Sequence, residues 1–296
     1  MTAPAPFLKW AGGKTKLLQH ILPALPSRID TYYEPFLGGG AVFFALAKEK
    51  RFRRAKLSDW NMELVDLYRS LRDDVEGVLQ ALEPWVDRVR DPEAFYALRA
   101  RDPWQMCAAE RAARFIFLNK TCFNGLYRVN RKGQFNVPFG RYARPKVRDP
   151  EKLRAAHRAL QGVEIEQADF EVAVRDARRG DAIYLDPPYV PLSRTASFTS
   201  YTKSPFGPME QERLANVVTA ALHRGVSAVL SNSDCDETRA LYRDLAFRVV
   251  PAPRAINRDA TRRGSVDELM VVGLAAQAPR AASRARPRLR AVGDGA

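Results

Sequence analysis

The chain has 296 residues, 46% of them hydrophobic, enough for one large domain or two modest ones around a sizeable core. No apolar run approaches the roughly 18–20 residues that cross a bilayer, the start lacks the layout of a secretory leader, and the three cysteines are scattered without a CxxC; a soluble intracellular protein with no membrane partner, no disulfide framework and no metal site is expected. Net charge is +14, and the last 18 residues account for only +4 of it, so the body itself is basic, which suits a polyanionic partner through counterion release or serves solubility alone.

In chain order, FLKWAGGKTKLL places Trp10 and Lys14 around a glycine turn. Trp10 offers a stacking face and Lys14 could reach a carboxylate; an N-terminal arm packed on the core is the alternative. TYYEPFLGGGAVFF is an aromatic strand end at Glu34, a turn through Gly38, Gly39 and Gly40, then an apolar helix. Glycine allows a sharp turn and close approach of a ligand. RRAKLSDWN is a short strand ending at Asp59, about 20 residues on, a spacing that suits a carboxylate gripping ribose hydroxyls. The loop is not GxGxxG and no GxxxxGKS occurs. A nucleoside without phosphates fits, and a plain strand–helix turn remains open.

From Met62 to about Phe117 the apolar spacing is helical. Between Arg111 and Arg148 stand ten basic residues, no Asp or Glu, and seven aromatics. A solvated face usually mixes signs, so this window predicts nucleic-acid contact. Within it VNRKGQFNVPFGRY predicts two short strands about Lys132-Gly133, a hairpin of the kind that enters a major groove. GVEIEQADF predicts a strand ending at Asp169. A helix over 208–224 precedes the strand GVSAVLSNSD, and FRVVPAP and ELMVVGLA form a last pair. Strands alternating with helices imply a mostly parallel sheet covered on both faces. The helical and turn-rich stretch to about 149 is an insertion. The tail from about 278 is rich in Pro, Arg and Ala and is expected to be disordered. His20, His157 and His223 fall in amphipathic helical segments and are not expected to be catalytic.

The stretch DAIYLDPPYVPL carries the chemistry. An apolar strand ends in Asp186, followed by Pro187, Pro188 and Tyr189. Prolines fix φ and donate no hydrogen bond, so the carbonyls there are free and rigidly aimed. A carboxylate and a carbonyl together suit a planar NH2 group with its two donors, and Tyr189 can stack on the attached ring. The exocyclic amine of a nucleobase is a poor nucleophile because its lone pair is delocalised. Two acceptors below the ring plane favour a pyramidal nitrogen whose lone pair faces an electrophile.

DPPY, the FLKWAGGK start, EPFLGGGAVF and the order of parts make the chain similar to the Dam family of DNA adenine-N6 methyltransferases over about residues 7–275; FNGLYRVNRKGQFNVPFGRY and DPPYVPLSRTASFTSY match that pattern closely. The resemblance implies S-adenosylmethionine as methyl donor and places Trp10, Lys14, Asp59 and Asp186 against it. It also sets Glu34, Phe36, Gly38 and Gly40 of the glycine loop near the cofactor, and Asp169 and Phe170 beside its adenine. The catalytic group would be Asp186, Pro187, Pro188 and Tyr189. The target adenine must leave the duplex stack to reach them, with Phe198, Thr199, Ser200 and Tyr201 around it. In the insert, the family pattern implies that Arg128 reads guanine, Leu126 and Pro138 meet a thymine methyl, Phe123 intercalates with Asn124 beside it, Lys9 contacts a base, and Arg141 and Tyr142 grip phosphate. GATC is the implied target, although Phe123 stands where the family often has tyrosine. Arg254, Arg258, Arg262 and Arg263 are expected on a loop near the DNA backbone, or simply solvated.

The expectation is therefore an α/β protein with a Rossmann-like methyltransferase core (1–61 and 150–277), an inserted helical-plus-hairpin recognition domain (62–149) and a disordered basic tail (278–296). It would act as a monomer on double-stranded DNA in the nucleoid-containing cytoplasm. A cytosine-N4 or RNA base methyltransferase and a catalytically silent DNA-binding module are the rivals. A nicotinamide dehydrogenase is weaker, because the glycine spacing is wrong and no histidine is placed for hydride transfer.

Overall fold

The computed structural model describes residues 2–190, 206–253 and 265–274. Residues 198–201, the arginines at 254, 258, 262 and 263, and the tail from 278 lie outside them. Seven strands form one sheet in the order β3-β2-β1-β4-β5-β7-β6. They are β1 (Ile29–Glu34), β2 (Phe52–Asp59), β3 (Glu164–Gln167), β4 (Ala182–Leu185), β5 (Ser227–Ser233), β6 (Phe247–Pro253) and β7 (Ser265–Gly273). All pairs from β3 across to β5 are parallel, and β7 runs against both of its neighbours.

Side chains alternate faces along each strand. Tyr32, Ala182, Tyr184 and Val229 join the larger apolar cluster on one face, while Tyr33, Ile183, Leu185, Ala228 and Leu230 join the smaller one on the other. Every residue of β4 and β5 is buried, as continuous apolar strands covered on both faces should be. The first face carries α1 (Leu18–Ile21), α2 (Ala41–Lys48), α3 (Met62–Asp73) and α7 (Pro150–Leu160); the second carries α8 (Phe170–Ala173) and α9 (Pro208–His223). The short α10 (Asp236–Leu241) follows β5.

The insertion between β2 and β3 contains α3, α4 (Val75–Leu82), α5 (Pro92–Ala100) and α6 (Ala108–Thr121). Several starts follow from local chemistry. The side chains of Asn61, Asp74, Asp91 and Asp149 accept from backbone N–H groups of the first turns of α3, α4, α5 and α7, which are otherwise orphaned donors. Pro92 and Pro150 open α5 and α7, where a missing N–H costs nothing. Helix α3 also packs on the sheet side: Arg69 Nε donates to Ile165 O at 2.8 Å and Arg72 Nη1 to Val163 O at 2.9 Å.

The expected hairpin differs in form. It is not two continuous strands but a ribbon with isolated bridges, Val129 to Phe135 and Cys122 to Phe139. Pro138 cannot donate to a ladder, and Asn124 and Gly125 both have positive φ, at 55° and 63°. The tip is closed by Asn130, whose Oδ1 accepts from Lys132 N at 2.9 Å and Gln134 N at 3.0 Å.

The chain moves outward from β1 to β2 and β3, then crosses back to place β4 on the other side of β1. The carboxyl ends of β1 and β4 therefore part at a topological switch point, where open α/β sheets form their ligand crevice.

Candidate active site

At the tip of β4, Asp186 Oδ1 lies 2.8 Å from Lys14 Nζ. Lys14 also donates to Gly12 O at 2.6 Å, and its ammonium sits 4.8 Å from the centre of the Tyr189 ring. Burial pushes the Asp186 carboxyl up from its ordinary value, and Lys14 pulls it back. The Tyr189 hydroxyl donates to Glu268 Oε2 at 2.6 Å. Burial likewise raises Glu268, against the pull of Lys14. Two carboxyls, one ammonium and one aromatic ring thus share a small space at the end of the sheet. The Pro188 carbonyl accepts from Gln211 Nε2 at 2.9 Å. Among the described residues nothing donates to the Pro187 carbonyl.

At the tip of β1 the glycine loop crosses to α2. Gly38 and Gly40 have φ of 47° and 65°, values that favour glycine. A Cβ at Gly38 would lie 2.6 Å from Trp10 Nε1 and one at Gly39 would lie 3.0 Å from Trp10 Cβ. On their Cβ side these glycines make room for Trp10 rather than for a ligand. Trp10 in turn stacks on Phe115 and Tyr127. Glu34 is 2% exposed; its Oε2 accepts from Tyr32 Oη at 2.8 Å and from Phe43 N in the first turn of α2 at 3.0 Å. Burial pushes Glu34 up to about 8.

At the tip of β2, Asp59 Oδ2 accepts from Gly38 N at 3.0 Å and Oδ1 from Asn61 N at 2.9 Å. Burial raises Asp59, and these backbone donors oppose it. Trp60 N–H adds a third donor, and the carboxylate still has room for one more. Asp169 caps α8 through Glu171 N at 3.0 Å and pairs with Arg213 at 2.5 Å. Phe170 is buried, stacked on Phe36 at 5.5 Å and covered by the Arg213 guanidinium at 4.4 Å.

This donor set fits S-adenosylmethionine. Asp59 offers an acceptor for a hydroxyl, and the half-buried Phe36, backed by Phe170, offers apolar aromatic surface. Asp186 and Glu268 together outweigh Lys14, which favours a cationic centre. Trp60, beside Asp59, is 55% exposed.

The recognition residues gather on a second surface. Lys9 N donates to Asn119 Oδ1 at 2.9 Å, Asn119 Nδ2 returns a bond to Lys9 O at 2.6 Å, and Lys9 Nζ lies 3.5 Å from the Tyr142 ring centre. A Cβ at Gly125 would come within 2.4 Å of Lys9 Cβ, so the turn holding Phe123 and Asn124 presses on this arm. Phe123 N donates to Pro138 O at 2.9 Å, and the Phe123 side chain is 52% exposed. Leu126 is half-buried and Arg141 exposed. Arg128 is exposed, and its Nε donates to Asn136 Oδ1 at 2.7 Å. The basic window from Arg111 to Arg148 is less uniform than its sequence. Arg114 is buried against Glu63 at 2.9 Å, and Arg111, Lys146 and Arg148 pair with Asp66, Asp149 and Glu83. These acids lie outside the window, so a composition count could not see them.

Sequence reasoning missed Glu268, Gln211, Asn232 and Arg213. Only Asn232 had a visible signal, since SAVLSNSD turns polar at the end of an apolar strand. The others arrive from elements distant in sequence.

Comparison with known proteins places the chain in a family. The model for the D12 class N6 adenine-specific DNA methyltransferases matches residues 10–256. A type II methyltransferase, M1.LlaDCHI, of Lactococcus lactis subsp. cremoris is 40% identical over 272 residues, covering 90% of this chain and 94% of its own. The type II methyltransferase M.MjaIII of Methanocaldococcus jannaschii is 40% identical over 283 residues, covering 90% and 98%. A DNA adenine methylase of Vibrio cholerae is 37% identical over 268 residues, covering 90% and 95%.

Proposed function

We propose that this chain, which belongs to the D12 class N6 adenine-specific DNA methyltransferases, uses S-adenosylmethionine to methylate an adenine flipped out of duplex DNA, within GATC. The observation that carries the reading is the tip of β4, where Asp186 and a Pro187 carbonyl that has no donor among the described residues stand together beside Tyr189. When bound, S-adenosylmethionine supplies a methyl group on a positively charged sulfur. The residues to hold it are Trp10, Lys14, Phe36, Gly38, Gly40, Asp59, Asp169, Phe170 and Asp186, while Glu34, buried beneath the glycine loop, supports the start of α2 instead.

The chain's own work concerns the amine. Asp186 and the Pro187 carbonyl accept its two N–H bonds, which withdraws the nitrogen lone pair from the ring and aims it. Lys14 fixes the Asp186 carboxylate and occupies one side of the Tyr189 ring, which leaves the opposite side for the base. The methylated nitrogen then sheds a proton, and Asp186 is the carboxylate next to it. No covalent bond to the protein is required.

The insert 62–149 presents the duplex to this crevice. Arg128, held by Asn136, meets guanine; Leu126 and Pro138 meet a thymine methyl; Phe123 fills the space left by the extruded base, beside Asn124. Lys9, Arg141 and Tyr142 complete the contact. The protein works as a monomer on nucleoid DNA. Among the described residues no helix is long and apolar enough to cross a membrane.

The test is methylated-base mapping of plasmid DNA after incubation with labelled S-adenosylmethionine. N6-methyladenine confined to GATC is expected. Modification at another adenine context would overturn the target, and label that stays off the DNA would overturn the cofactor.

A further inference from the structure

The turn after β4 is gripped by a buried pair of amides that the reaction itself does not use. Asn232, at the end of β5, is 0% exposed, and Gln211, on α9, is 3% exposed. Asn232 Oδ1 accepts from Ser233 N at 2.8 Å and Val190 N at 3.2 Å. Both are backbone donors, so the other arm of Asn232 must be its NH2 group. That Nδ2 donates to Gln211 Oε1 at 3.0 Å, which obliges Gln211 Nε2 to be the donor to Pro188 O at 2.9 Å. The direction of every bond in the relay is fixed from its backbone end.

The two contacts on the turn fall on either side of Tyr189. The Pro188 carbonyl belongs to the peptide plane before it and the Val190 N–H to the plane after it. Proline rings already fix φ at 187 and 188; the freedom left is ψ at 188 and both torsions of Tyr189, and the relay removes it. Ser233 Oγ adds a bond to Val190 O at 2.7 Å. A buried amide network of this kind is costly unless wholly satisfied, and here every member is engaged.

We infer that Gln211 and Asn232 are positioning residues for methyl transfer: their amide relay fixes both peptide planes around Tyr189, so that the ring meets the target base at one angle and Pro187, not Pro188, offers the free carbonyl. The inference rests on the proposed role of the Asp186–Tyr189 turn.

Gln211→Glu tests it. A carboxylate at this position still accepts from Asn232 but has no donor for Pro188 O. Protonated, it regains an O–H and restores the bond. The variant should lose about 10–100-fold in kcat at pH 8, with KM for DNA and S-adenosylmethionine within about twofold, and recover as pH falls. Asn232→Asp, which leaves Val190 its acceptor but removes the donor to Gln211, should lose a similar factor and also recover in acid, where the protonated carboxyl again has an O–H to donate to Gln211. In the double variant the losses should not multiply, as expected of one unit. Duplexes with 2-aminopurine at the target should show unchanged extrusion but altered quenching by Tyr189. Unchanged kcat in both variants, or a loss that is independent of pH and matched by weaker binding of both ligands and a lower Tm, would overturn the relay. Failure of the wild-type enzyme to methylate adenine would instead overturn the reading of the turn.

Discussion

Glu34 and Asp186 stand at the ends of neighbouring parallel strands, and burial raises both carboxyls, but their partners differ. Asp186 has Lys14 at 2.8 Å. Among the described residues Glu34 has the Tyr32 hydroxyl and the Phe43 N–H, and burial carries it from 4.5 to about 8. A carboxyl whose pKa rises on folding contributes stability that is complete below about 4.5, falls as pH climbs, and levels off above about 8. Glu34→Gln keeps an oxygen for both donors and cannot ionise. The Tm of the wild type should therefore drop relative to Glu34→Gln across that interval, as thermal melts at stepped pH will show. Parallel curves would mean that Glu34 is charged throughout. The same residue makes plain what a motif hides: the resemblance sets Glu34 near the cofactor along with Phe36, Gly38 and Gly40, whereas Glu34 points inward and supports the start of α2.

At the scale of elements, a buried ion pair ties the first helix of the insert, α3, to the rest of it. Arg114 on α6 meets Glu63 on α3 at 2.9 Å, and Tyr127 of the hairpin donates to the same carboxylate at 3.2 Å. Arg114 also caps the end of α5 through Leu98 O and Arg99 O. Arg114→Met leaves Glu63 buried and unpaired, which should cost about 3–5 kcal/mol in denaturant unfolding. Adding Glu63→Met should return most of that loss; no return would show that the pair matters for packing alone. Which elements form was largely legible beforehand. The 62–117 helices announce themselves by their apolar period, and β4 by an apolar run stopped by two prolines. The hairpin was legible in place but not in form, because a proline and two positive-φ residues interrupt its ladder. The acids that neutralise Arg111, Arg114, Lys146 and Arg148 could not be read from a window of sequence, and neither could the bonds from α9 and β7 to the DPPY turn. Both depend on which distant elements the topology brings together.

For the whole molecule, the sheet order places the site and the charge places the partner. Carboxyl ends of β1, β2 and β4 gather Asp59, Asp186 and the glycine loop at the switch point, while the insert carries unneutralised cations on the face that holds Lys9 and Arg128. Lys120 reports on that face. Burial, with the like charges of Lys152 and Lys9, depresses its ammonium to about 8. A duplex phosphate nearby would draw it back up. Binding near pH 8 should then take up a proton, and affinity should fall as pH rises through that value. Titration calorimetry in two buffers of different ionisation enthalpy measures the uptake, and Lys120→Met should abolish it; an uptake that survives the substitution assigns it to another group. The central claim concerns the amine. In a crystal of the protein with a GATC duplex and a non-reactive analogue of the methyl donor, the account predicts the adenine amine out of the helix, within hydrogen-bond distance of both Asp186 and the Pro187 carbonyl, its ring against Tyr189. An amine held elsewhere, or an adenine still stacked in the duplex, would contradict it.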